Sequence, residues 1–223
     1  DCVIRKIEGD YSITARTEGN RNLGITPKEK YSRDAEVLEK ALQDDPDNHR
    51  YQFYLAQSYF DSQQWEKAKE AYKKRVEQGG WNEEAFYAQF RVALISAVLK
   101  ESEDIVQMEL IKAYNLRPIR AEPLVELSRL NRLNGRPAAA YIFAKKAVEL
   151  DFPVNDILFI SEDVYRFVAL DELGATAFFA GKPHEGYAAC RKLLEENRIP
   201  QEHAERVKTN LDEYVKVLSQ IGD

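Results

Sequence analysis

Five polar side chains, Arg50, Gln57, Arg91, Arg129 and Arg132, hold most of the recognition chemistry that this sequence offers. A guanidinium is a planar fork of donors that matches a carboxylate edge to edge, so arginines facing one groove suit an acidic peptide segment or a free carboxylate. Internal salt bridges compete for the same groups, since Glu84, Glu122 and Glu126 stand nearby in the chain. Arg117 and Arg120, in the run LRPIRAEPL, read as structural arginines that tie a loop to adjacent helix ends. Catalysis finds less footing. His49, His184 and His203 share no ligand spacing, and no Ser, Cys or Lys stands in a nucleophile motif. A remote possibility is a compact helical enzyme with a pocket around His184 and Cys190. Asp45-Pro46-Asp47 has the Asp-x-Asp spelling of a metal site, but a proline between two helical runs marks a connecting turn. No cofactor, metal ion or catalytic residue is therefore expected in this segment.

Elements that could position the arginines are legible in the composition. Of 223 residues, 44% are hydrophobic and 31% charged, with only 10 Gly and 8 Pro, which suits an ordered helical protein with a real core. A net charge of −6 gives no general attraction to phosphate backbones, which argues against nucleic acid as a partner. The most apolar run, VALISAVL at 92–99, is far short of the ~20 residues that cross a bilayer. Cys2 and Cys190 match no disulfide or metal framework, and a cytoplasmic setting is expected. The chain starts Asp-Cys rather than Met, as an excised piece would.

Self-similarity organises the rest. Leu55-Ala56-x-x-Tyr59 followed by Ala68-x-x-x-Tyr72 sets a template of two helices with small residues at the seam and aromatics in the groove. It recurs at Ala93-Leu94 with Leu110 and Ala113, at Leu127-Ser128 with Ala140, Ala144 and Ala147, and at Leu173-Gly174 with Gly186, Cys190 and Leu193. Leu38 and Ala41 look like the second half of an earlier unit. The anchors are separated by 38, 34 and 46 residues, which implies insertions of 4 around GGWN and of 12 around FPVNDILFISED. Alanine and glycine at the seam let helix axes approach closely. NGRP and AGKP each place Gly past one helix and Pro at the start of the next, while Asn48 and Asn82 suit N-caps. Helices are expected near 30–44, 49–61, 65–77, 83–99, 103–116, 121–134, 137–150, 162–180, 183–196 and 201–219.

This spacing resembles the tetratricopeptide (TPR) repeat. It predicts an all-α, TPR-like right-handed α-solenoid of helix pairs over 29–223, capped by the polar-faced last helix. In such a stack Arg50, Gln57, Arg91, Arg129 and Arg132 fall on the first helices of their pairs, which line the concave side, and Trp81 plugs a joint between units. Residues 1–28 lie outside the repeat. Val3-Ile4-x-x-Ile7 and Tyr11-x-Ile13 around Gly9-Asp10 read as a β-hairpin or linker from an upstream domain.

A narrower resemblance rests on RYQFYLAQSYFD, RVEQGGWNEEAFYAQFRVA and LRPIRAEPL, with GDYSITARTEGNRN and YSRDAEVLEKALQDDPDN. These runs resemble the helical region that follows the catalytic domain in bacterial and viral family 2 glycosyltransferases. The resemblance implies a non-catalytic scaffold serving protein interaction, acceptor recruitment, contact with an upstream GT-A catalytic domain, or self-association. The alternative is a stand-alone TPR adaptor that binds peptide segments.

Overall fold

The computed structural model describes residues 24–221, which fold as an all-α TPR-like solenoid. The expected hairpin lies outside the described residues. Among the described residues ten α-helices follow one another: α1 (Pro27–Asp44), α2 (His49–Asp61), α3 (Trp65–Glu77), α4 (Asn82–Val98), α5 (Glu103–Leu116), α6 (Glu122–Leu133), α7 (Pro137–Val148), α8 (Ala169–Thr176), α9 (Pro183–Glu195) and α10 (Gln201–Ile221). The helix expected at 162–180 is composite, because a π-helical turn at Val164–Val168 precedes α8 and a 3₁₀ turn at Ala177–Ala180 follows it. Each helix packs chiefly on its neighbours in the chain, as stacked pairs α2/α3, α4/α5, α6/α7 and α8/α9 between the single helices α1 and α10.

The seams hold as the alanine pattern requires. Ala56, Ala68, Ala93, Ala113, Ala140 and Ala144 are fully buried, and methyl-sized side chains there let neighbouring helices close on one another. Aromatics fill the remaining space: Phe53, Tyr72 and Phe86 are buried in one cluster that runs from α1 to α5. A second cluster runs from α4 to α8, and a third joins α8, α9 and α10. Overlapping local cores of this kind are what a stack of two-helix units produces.

The turn inside each pair has one geometry. The N–H groups of Gln64, Glu101, Arg136 and Lys182 reach back to the carbonyls of Tyr59, Ser96, Asn131 and Ala177, the long bond of a Schellman cap. In each, the preceding residue is left-handed: Gln63, Lys100, Gly135 and Gly181. NGRP and AGKP announced two of these turns by their glycine; the other two carry none and were placed only as the breaks between helices expected at 49–61 and 65–77 and at 83–99 and 103–116. The four turns are spaced by 37, 35 and 46 residues, close to the repeat read from the sequence.

Three local expectations need correction. The extra residues of the second unit do not lengthen the GGWN turn; they lengthen α4, which has 17 residues against 13 in α2. Asn82 is the first residue of α4 rather than its cap, and Trp81 takes the cap position without a side-chain bond. Nor does Trp81 plug the joint, since it is 40% exposed with Arg50 stacked 6.0 Å from its ring. The joint is closed instead by a buried pair, Arg75 Nε to Glu84 Oε2 at 3.0 Å, with Arg75 Nη1 also bonded to the Gly79 carbonyl at 2.6 Å. Asn48 does cap α2, accepting from the Tyr51 N–H at 2.9 Å. At the start of α1, Thr26 and Glu29 form a capping box that the sequence reading overlooked.

Candidate protein-binding surface

The five predicted groove residues all lie on first helices, Arg129 and Arg132 lining one cavity and Gln57 another. Arg50, Gln57 and Arg91 belong to α2 and α4. Arg50 pairs with Glu84 and donates to the Tyr54 hydroxyl at 2.6 Å. Gln57 accepts the hydroxyl of buried Tyr72, and Arg91 donates to the Tyr87 hydroxyl at 2.7 Å while lying 4.3 Å over the Phe60 ring. These contacts fix the polar side chains on an aromatic surface.

Arg129 and Arg132, on α6, meet a different neighbourhood. With Asp171, Glu172, His203, Arg206 and Asn210 they line a cavity of about 510 Å³ between α6, α8 and α10. Arg132 grips Glu172 with two bonds of 3.0 and 2.8 Å, Arg129 bonds Glu126 at 2.8 Å, and Arg206 bonds Asp171 at 2.7 Å. The expected internal partners Glu84 and Glu126 are thus engaged. Glu172 rather than Glu122 takes Arg132, because Glu122 is claimed by Arg120.

The charges are layered. Glu172 and Asp171 expose 6% and 18% of their side chains, whereas Arg129, Arg132 and Arg206 expose 43%, 34% and 47%. Burial pushes the Glu126 carboxyl above its usual range, against the pull of Arg129, and the Glu172 charge adds to the rise. Acids line the floor and guanidinium groups form the rim. Arg206 was missed in the sequence because α10 was read only as a cap, and His203 was read only as a histidine without ligand spacing; a basic residue on the inner face of a terminal helix has no repeat partner to flag it.

Arg117 and Arg120 do tie a loop, as expected. Arg120 is 1% exposed, bonds Glu122 and Asp156, and lies 4.6 Å over the Phe86 ring. Asp45 and Asp47 are exposed on the α1–α2 turn, where Asp45 accepts from the Asn48 amide at 2.9 Å. Cys190 sits in the α8–α10 core, where burial pushes its thiol up to about 12, the reverse of nucleophile activation. Among the described residues no group of three or more His, Cys, Asp or Glu could hold a metal ion, and no helix is long and apolar enough to cross a membrane.

The architecture is a TPR-like stack of helix pairs, and residues 30–85 match the tetratricopeptide repeat family. Among solved structures, two crystal structures of MamA resemble the chain. One has a TM-score of 0.58 at 18% identity, covering 76% of this chain and 90% of that one. The other has 0.57 at 18%, covering 80% and 87%. At that identity the likeness concerns the fold alone. No curated protein sequence matches. These matches lend no support to the glycosyltransferase resemblance.

Proposed function

We propose that this chain is a protein-binding adaptor, not itself catalytic, whose working surface is the arginine-rimmed cavity of α6, α8 and α10. The partner is an acidic protein segment. One observation carries this reading: three guanidinium groups line a cavity of about 510 Å³ with their counter-charges beneath them. Each guanidinium has five N–H donors. Arg132 gives two to Glu172, Arg129 one to Glu126 and Arg206 one to Asp171, which leaves donors for an incoming carboxylate. A cytoplasmic setting and self-association through the same face are compatible with this role.

The test is binding of a fluorescently labelled hexaglutamate peptide, followed by anisotropy at two salt concentrations. Affinity should fall as salt rises, and Arg129→Gln with Arg206→Gln should weaken binding at least about tenfold. Arg132 is left alone because its loss strands the buried Glu172 and threatens the fold. Unchanged affinity in the double variant, with an unchanged helical circular dichroism spectrum, refutes the assignment.

A further inference from the structure

Residues 149–161 join α7 to α8 without regular structure, yet they do not simply span the gap. They run back to the first two helix pairs. The Asp156 side chain is fully buried and receives Arg117 Nε at 2.6 Å and Arg120 Nη1 at 3.3 Å. Glu83 Oε2, at the start of α4, accepts the N–H groups of Ile157 and Leu158, each at 2.8 Å. Arg120 donates to the carbonyls of Leu158 and Phe159 at 3.3 and 3.0 Å. Then Phe159 lays its ring 4.6 Å from Tyr87 and 6.5 Å from Phe53, residues that sit 34 positions apart on α4 and α2.

This contact has the content of peptide recognition: an aspartate in a two-arginine fork, backbone donors on a carboxylate, backbone acceptors on a guanidinium and a ring on an aromatic platform. It also differs from an ordinary core contact. Phe159 has φ +45°, a region bulky side chains rarely enter, and the residue is still 52% exposed. Beside it opens a cavity of about 490 Å³ lined by Tyr31, Tyr51 and Tyr54. The ring rests at the edge of a slot larger than itself.

We propose that the first-helix face of α2 and α4, together with the Arg117 and Arg120 fork of the α5–α6 link, is a receptor for an extended protein segment bearing an acidic residue three positions before an aromatic one. The chain's own Asp156–Phe159 occupies it until such a partner displaces it. This site is separate from the arginine-rimmed cavity and shares none of its residues.

The full chain and a labelled peptide of residues 153–162, PVNDILFISE, test the proposal. Phe159→Gly removes the competing ring and suits the backbone angle, so it should bind the peptide at least about tenfold more tightly than the unaltered chain. Adding Tyr87→Ala to that variant, or replacing Asp and Phe in the peptide by Asn and Ala, should abolish the gain. In the unaltered chain, hydrogen exchange at the Ile157 and Leu158 amides should quicken as peptide is added. Equal binding by Phe159→Gly and the parent, or equal binding of the replaced peptide, overturns the proposal. If Phe159→Gly fails to fold, the exchange experiment decides, and amide protection unmoved at saturating peptide refutes displacement.

Discussion

Gly186→Ala is the sharpest probe of the seam between the last helix pair and α10. A methyl carbon on Gly186 would stand 2.1 Å from Tyr214 Cζ, 2.2 Å from its hydroxyl oxygen and 2.5 Å from Cε1. No rotation of a flexible chain end relieves this, because the obstacle is a buried aromatic ring, 3% exposed. Tyr214 must leave its place. Its hydroxyl then gives up a bond to the Gly174 carbonyl at 2.8 Å and the Phe178 N–H at 3.0 Å. Each hydrogen bond contributes ~1 kcal/mol net, and burial of the ring contributes ~1.5–3 kcal/mol. Alanine in a helix returns ~1 kcal/mol relative to glycine. The balance is a loss of ~2.5–4 kcal/mol, read as a lower urea midpoint, or a Tm lowered by ~2–4 °C per kcal/mol for a chain of this size. The double-mutant cycle completes the assay: in a Tyr214→Ala background the same substitution should cost nothing or stabilise. A midpoint unchanged or raised by Gly186→Ala alone, or a cost that persists without Tyr214, refutes the packing described.

Leu55→Ala, at a side chain 7% exposed, should destabilise by ~2–5 kcal/mol in denaturant titration, and Ala144→Leu, at a fully buried seam, by ~1–3 kcal/mol through overpacking. The Arg117 bond, reinforced by Arg120 and opposed by burial, holds the Asp156 carboxyl below the usual carboxylate range. Its folded pKa therefore lies below the unfolded one, so its stabilisation is full above the ordinary carboxylate pKa and is lost as pH falls through the folded value. Unfolding midpoints measured as pH is lowered below about 4 should drop more steeply for the parent than for Asp156→Asn. Calorimetry with nucleotide sugars should give no isotherm; a clear one would overturn the non-catalytic reading.

Much of the architecture was legible because helix pairing is a local, periodic affair. Ala140 and Ala144 recur at the spacing of one helix face, Ala56 and Ala68 sit on the two helices of one pair, and Gly135 and Gly181 mark turns that favour a residue without a side chain. Where the same turn is made by Gln63 or Lys100, composition gives no sign, since packing of the pair holds a residue in a conformation its type does not favour. The arginines were legible as a resource but not as a site. Arg132 finds Glu172 forty residues on, and Arg206 joins them only because α10 folds over the end of the stack.

The sequence by itself determined the helices, their pairing and the buried seams, because each follows from side-chain size at intervals set by the helical turn. Only the tertiary structure decided that Arg132 and Arg206 meet Glu172 and Asp171, and where residues 149–161 travel. Glu83 meets the amides of Ile157 and Leu158 across 74 and 75 positions, a distance over which no periodicity carries information. The physical reason is that an irregular segment takes its path from whichever surface satisfies its backbone groups, and that surface exists only once the pairs have stacked.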